Sequence, residues 1–113
     1  MSVDKSLVSG STTMLLLKLL SEKDMYGYEM IETLSQRSQN VFTLKAGTLY
    51  PLLHSLEDKG YLTVYEKEAG GKTRKYYSIT KEGNAVLKQK TEEWKEYSSA
   101  VTGVLGGAVY GNA

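Results

Sequence analysis

Little in this sequence could make or break a covalent bond. Its 113 residues include no cysteine and a single histidine, His54. Without thiolates there is no disulfide framework and no zinc site of the cysteine type, and one imidazole alone makes no metal centre. No Ser–His–Asp arrangement surrounds His54, and Glu29 and Glu32 lie about one helical turn apart, as on an ordinary solvated helix face. The expectation is a protein that is not an enzyme and carries no cofactor and no metal. What the chain offers is electrostatic. Lys45, Gly47, Thr48, Tyr50, Pro51 and His54 bring basic, small and hydroxyl-bearing groups to the start of one segment. Lys72, Arg74, Lys75 and Lys81 fall between positions 70 and 81 with no acid among them. Such side chains reach phosphates, and each phosphate neutralised adds to the salt dependence of binding. Taken alone, the second run also suits a solvated hairpin whose lysines protect a sheet edge from aggregation. His54 likewise reads either as a surface residue near phosphate or as a pH switch.

Both groups need elements to hold them. Leu49, Leu52, Leu53 and Leu56 follow the i, i+3, i+4, i+7 spacing of one helix face, and Gly60 supplies a stop after Lys59. A helix that starts between positions 46 and 48 keeps Pro51 in or just past its first turn, where proline removes at most one backbone bond. Its outer face then carries Gly47, Tyr50, Pro51 and His54, flanked by Thr48 and Ser55, a surface that a DNA major groove accepts. Upstream, residues 1–10 read as a loose arm. Ser9 or Ser11 caps a first, almost wholly apolar helix that runs to about position 21. A second helix spans about 26–37, with Tyr28, Ile31 and Leu34 at helical spacing and Met30 beside them. Residues 36–40 form a loop, and 41–44 are either a short extended piece or the approach to the third helix. After Gly60 the period becomes two: Leu62 and Val64 alternate with Thr63 and Tyr65. Residues 66–72, which contain Gly70 and Gly71, read as a turn, and 73–79 as the returning strand. Thr80 caps a last helix with Glu82 in its first turn.

The order helix, helix, helix, hairpin is that of a winged helix-turn-helix, so the fold class is mainly α with a small β-hairpin. The expected organisation is a flexible arm at 1–10, a DNA-binding domain at 11–80, a long C-terminal dimerisation helix at 81–105 and a frayed tail at 106–113. On that last helix Leu87, Trp94, Tyr97, Val101 and Val104 make a coiled-coil-like stripe, with Lys90 in the one polar seam position. Such a stripe needs a partner, and a second copy of the chain is the simplest, which makes a homodimer the expected state. Net charge is only +1, so any claim on nucleic acid rests on local charge rather than a global field. The longest apolar run, positions 14–20, is interrupted by Lys18 and is far too short to span a bilayer. The first ten residues are polar and read as no signal peptide, so no membrane association and a cytoplasmic location are expected. Nine tyrosines against one phenylalanine suggest many half-buried rings with one wet edge, as at interfaces.

Three ordered motifs carry a resemblance. Lys45-Ala-Gly-Thr-Leu-Tyr-Pro-Leu-Leu-His-Ser-Leu-Glu-Asp-Lys-Gly resembles the G-x-(I/L)-Y-P-x-L-x-x-L-E-x-x-G signature of PadR-like transcriptional regulators. Tyr26-Gly-Tyr-Glu precedes it, and Gly70-Gly-Lys-Thr-Arg-Lys-Tyr-Tyr-Ser-Ile-Thr-Lys-Glu-Gly follows. The resemblance covers roughly residues 12 to 105, and the single C-terminal helix is similar to the smaller PadR subtype. It implies a dimeric repressor whose third helix enters the major groove of double-stranded DNA at an inverted-repeat operator. By position, Lys45, Gly47, Thr48, Tyr50, Pro51 and His54 then lie on or beside the DNA, with Tyr50 and Pro51 alternatively shaping the helix start. Beside such a helix, Lys72, Arg74 and Lys75 of the wing are read as DNA contacts. Trp94 resembles a tryptophan that stacks on flat aromatic ligands in a multidrug-sensing branch of the family; alternatively it only packs the dimer seam. A winged-helix module that binds protein and reads no DNA is the competing function, favoured by the balanced charge and the many tyrosines.

Overall fold

A computed structural model describes residues 5–106, with side chains from residue 10. The elements are α1 (Lys5–Glu22), β1 (Met25–Tyr26), α2 (Gly27–Arg37), α3 (Ala46–Asp58), β2 (Leu62–Ala69), β3 (Lys72–Ile79) and α4 (Lys81–Val104). The core forms where α1, α2 and α3 meet one face of a small sheet. Leu16, Leu17, Leu19 and Leu20 come from α1, Met30 and Leu34 from α2, Leu49, Leu53 and Leu56 from α3, and Met25, Leu62 and Tyr77 from the strands. Each such side chain contributes about 1.5 to 3 kcal/mol by leaving water. This explains why α1 is apolar almost all round: it lies between the other helices, the sheet and α4, and has little wet face to spare.

Several boundaries differ from the expectations, each for a physical reason. α1 begins at Lys5, inside the stretch read as an arm, so Ser9 and Ser11 lie within the helix rather than at its start. Residues 1–4 and 107–113, the rest of the expected arm and nearly all of the expected tail, lie outside the described residues. Tyr28, expected among the inward residues of α2, is 61% exposed. The buried residues are Gly27, Met30 and Leu34, so Leu34 is buried as expected while Gly27 and Met30 lie deeper than Tyr28 and Ile31. Residues 41–44 form no strand. The chain leaves α2 through Gln39 and Asn40, both left-handed at φ 50° and 65°, with the Asn40 amide donating to the Ser35 carbonyl at 2.8 Å.

The sheet has three strands in the order β1-β3-β2, all antiparallel. β1, only two residues long, was not foreseen, because so short a piece leaves no readable period. The hairpin is longer than expected. Its strands run to Ala69 and from Lys72, so 66–69 is strand rather than turn. Only Gly70 and Gly71 make the bend, at φ +61° and +79°, the left-handed pair a type I′ hairpin requires. α3 ends in a Schellman closure: the Gly60 amide donates to the Glu57 carbonyl and the Tyr61 amide to the Leu56 carbonyl, both at 2.9 Å. α4 starts at Thr80, whose Oγ1 accepts from the Gly83 amide at 3.0 Å while its hydroxyl donates to the Gly60 carbonyl at 2.7 Å. One threonine thereby caps α4 and ties it to the α3–β2 corner.

Candidate nucleic-acid interface

The α3 helix is seated by Leu49, Leu53 and Leu56, which are buried, and by half-buried Leu52. That burial turns Gly47, Thr48, Pro51 and His54 outward, all of them exposed, with exposed Lys45 at the N-cap. Among the described residues, no side chain caps α3, and its first turn has no acid. An uncapped helix start presents amides and the positive end of the helix dipole, the arrangement that favours an anion. Pro51 cannot donate to the Gly47 carbonyl, but that carbonyl belongs to an exposed residue, which solvent can reach. Tyr50 behaves differently. It is half-buried against the core, and its hydroxyl end lies so close to Gly27 that a β-carbon there would overlap it. The glycine of Tyr26-Gly-Tyr-Glu therefore makes room for Tyr50, and Tyr50 anchors the start of α3 to the start of α2. Of the six residues Lys45, Gly47, Thr48, Tyr50, Pro51 and His54, expected on or beside the DNA, five are exposed and Tyr50 turns inward.

The wing lies beyond the core, as the run of exposed residues in β2 records. Lys72 and Lys75 are exposed, but Arg74 is half-buried, its guanidinium 4.4 Å from the centroid of the Tyr26 ring. Strand register changes the charge picture as well. Glu66 faces Lys75, Lys67 faces Arg74 and Glu68 faces Thr73 across the ladder. The four cations of the hairpin thus share it with two acids, a local net charge of plus two. A run that looks purely basic along the chain is partly neutralised by its neighbouring strand. Among the residues the sequence reading missed are Asp24 and Tyr65, joined by a hydrogen bond from the Tyr65 hydroxyl to Asp24 Oδ2 at 2.6 Å. The bond, followed by burial, holds the Tyr65 phenol above its ordinary 10.0. Strand alternation places Tyr65 opposite the core face of Leu62 and Val64, but nothing local reveals its partner across the sheet.

On α4, Trp94 is 50% exposed, Tyr97 64% and Val104 88%, with Val101 and Leu105 also exposed. Leu87, expected on the same stripe, is half-buried against the core of its own chain. The open apolar stripe therefore begins at Trp94. Trp94 and Tyr97 border a groove of about 350 Å³ whose other walls are Gly10, Ser11, Met14, Lys90 and Glu93. Around the body, surface ion pairs link the elements: Arg37 meets Glu22 at 2.6 Å and Lys23 meets Glu29 at 2.7 Å. The hydrogen bond from Arg37 holds the Glu22 carboxyl below its ordinary value. Among the described residues, no three histidine, aspartate or glutamate side chains converge as they would on a metal ion, and no helix is long and apolar enough to cross a membrane.

Comparison with known proteins places this geometry. The family model described as the transcriptional regulator PadR-like family matches residues 16–89. An uncharacterised protein of Lysinibacillus sphaericus is 38% identical over 101 residues, which span 88% of this chain and 92% of that one. The structure of a transcriptional regulator from Clostridium thermocellum superposes with a TM-score of 0.81 at 33% identity, covering 88% of this chain and 94% of the other. That of a PadR family regulator from Eggerthella lenta gives 0.79 at 35% identity, covering 88% and 86%.

Proposed function

The chain belongs to the PadR-like family of transcriptional regulators, which are DNA-binding proteins and not enzymes, and on that footing we propose that it is a repressor acting as a homodimer on an inverted-repeat operator. The observation that carries the reading is the exposed, uncapped start of α3 with Lys45, Gly47, Thr48, Pro51 and His54 on its open side. In this reading that side enters the major groove, and Lys72 and Lys75 of the wing neutralise flanking phosphates. Tyr50 holds the helix start rather than touching DNA. Two copies associate through Trp94, Tyr97, Val101 and Val104, and their symmetry sets the half-sites about one helical turn, roughly 34 Å, apart.

The groove beside Trp94 takes a flat aromatic ligand, which relieves repression by favouring a dimer with a different spacing of its α3 helices. That mechanism requires the ligand to bind the two arrangements with different affinity. Quenching of Trp94 fluorescence by a flat aromatic dye tests it, and a dye that quenches without weakening DNA binding contradicts it.

A protein-binding winged helix is the second reading, favoured by the net charge of +1 and by the acids of β2. Selection of duplexes from a random library at low and moderate salt separates the two. Enrichment of an inverted repeat, with binding that falls steeply as salt rises, supports the repressor. A folded protein that retains no duplex even at low salt supports the protein-binding module.

A further inference from the structure

The outer face of the sheet carries a cluster that phosphate contact leaves unexplained. Register sets Tyr26 beside Tyr76 and Tyr76 beside Tyr65, one ring per strand in a row across the sheet. Tyr76 stacks on Tyr65 with centroids 5.8 Å apart and meets Tyr26 edge-on at 5.5 Å. The next row toward the tip pairs Arg74 with Lys67. Two like charges directly opposite repel, and each is drawn instead over a ring: Arg74 over Tyr26 at 4.4 Å, Lys67 over Tyr76 at 5.2 Å. The row closes through the Tyr65 hydroxyl on Asp24 at 2.6 Å. Asp24 lies in the link between α1 and β1, next to Lys23, which pairs with Glu29 in the first turn of α2 at 2.7 Å. A continuous set of contacts therefore runs from β2 across β3 to the helix-turn-helix body.

That placement matters because of leverage. Beyond the core the wing is a two-stranded ribbon, which bends and twists easily by itself. From Tyr76 to Lys72 the strand rises about 14 Å, so tilting the base by about 10° moves the tip by about 2 Å. A charge-assisted hydrogen bond does not survive a displacement of that size.

We propose that Asp24, Tyr65 and Arg74 are positioning residues that brace the wing so that Lys72 and Lys75 meet phosphates, and that Arg74 serves as a strut instead of a DNA contact. The proposal rests on the DNA-binding reading above. The brace raises the fraction of molecules whose wing is competent, and its loss lowers apparent affinity by that fraction.

The test uses the full chain, a fluorescent mixed-sequence duplex, a range of salt concentrations and amide exchange of β2 and β3. Asp24→Ala removes a negative charge, so simple electrostatics predicts tighter binding, whereas the brace predicts weaker binding by about threefold to tenfold. Asp24→Asn keeps an acceptor for the Tyr65 hydroxyl and restores most of the affinity. Tyr65→Phe speeds exchange in the wing and weakens binding to a similar degree. Arg74→Gln weakens binding but leaves the slope of log affinity against log salt unchanged, whereas Lys72→Gln lowers that slope by about one. Tighter or unchanged binding by Asp24→Ala, with unchanged exchange in Tyr65→Phe, overturns the brace. A slope lowered by about one in Arg74→Gln makes Arg74 a phosphate contact and overturns its part in the proposal. Wild-type protein that binds no duplex at low salt overturns the DNA reading itself, and the exchange rates distinguish that failure from failure of the brace.

Discussion

Two elements leave the core, and they are held in different ways. The wing is tied down: Tyr76 stacks on Tyr65 and meets Tyr26 of β1 edge-on, Lys67 and Arg74 lie over rings, and Asp24 links it back to the body. The outer half of α4 is not. Trp94, Tyr97, Val101 and Val104 are exposed on it, and Leu105 just past its end. An apolar stripe left open marks a surface that associates, whereas a ribbon with its own bracing marks a surface that must hold a shape. In the proposed reading, assembly therefore falls to α4 and presentation of charge to the wing.

The largest effect that sharpens this contrast is expected at Trp94. Trp94→Ala removes the largest ring of the stripe and weakens self-association by about 2 to 4 kcal/mol, measurable by sedimentation over a concentration series, while wing amide exchange stays unchanged. A dimer of unaltered affinity would detach assembly from this stripe. Gly83→Ala acts at the root of α4. The new β-carbon would overlap the Tyr61 carbonyl oxygen and lie 2.7 Å from Ile79 Cγ1. Because backbone must move, the expected cost in chemical denaturation is about 1 to 3 kcal/mol. Thr80→Ala, at the same root, removes the cap bond and costs about 1 kcal/mol in the same measurement.

The smallest effect concerns the wing. Hydrogen bonding to Asp24 raises the Tyr65 phenol above 10.0 in the folded chain, so the neutral form is the one the fold favours. Its contribution is complete below 10.0 and is lost as pH climbs through the higher folded value. Wing exchange corrected for intrinsic rates rises on that alkaline side in the wild type, and Tyr65→Phe abolishes the change. An alkaline rise that persists in Tyr65→Phe would point to another group.

What was legible in the sequence follows the range of the forces involved. The buried face of α3 was plain because Leu49, Leu53 and Leu56 repeat with the helix itself, and Gly60 closes it, its own amide bonding Glu57 and the next amide, of Tyr61, bonding Leu56. The hairpin was legible where it packs, at Leu62 and Val64, and illegible at 66–69, where no core face imposes a period on exposed side chains. β1 was too short to leave a pattern. The inward turn of Tyr50 depends on Gly27 of another helix, and the muted charge of the wing depends on strand register, which brings Glu66 opposite Lys75 and Glu68 opposite Thr73. Leu87 followed the stripe of α4 in sequence but lies low enough on the helix to be covered by its own core. Contacts within one element were readable, and contacts between elements were not.

In the proposed dimer, α4 fixes the distance between two α3 helices on DNA. The direct test takes the inverted repeat enriched from the random library and inserts about five base pairs, half a helical turn, between its half-sites. Affinity that collapses toward that of a single half-site is the predicted result, because a rigid pair of recognition helices cannot reach both faces of the duplex. Affinity equal to that of the parent site would contradict the account, since the two helices would then be reading DNA independently.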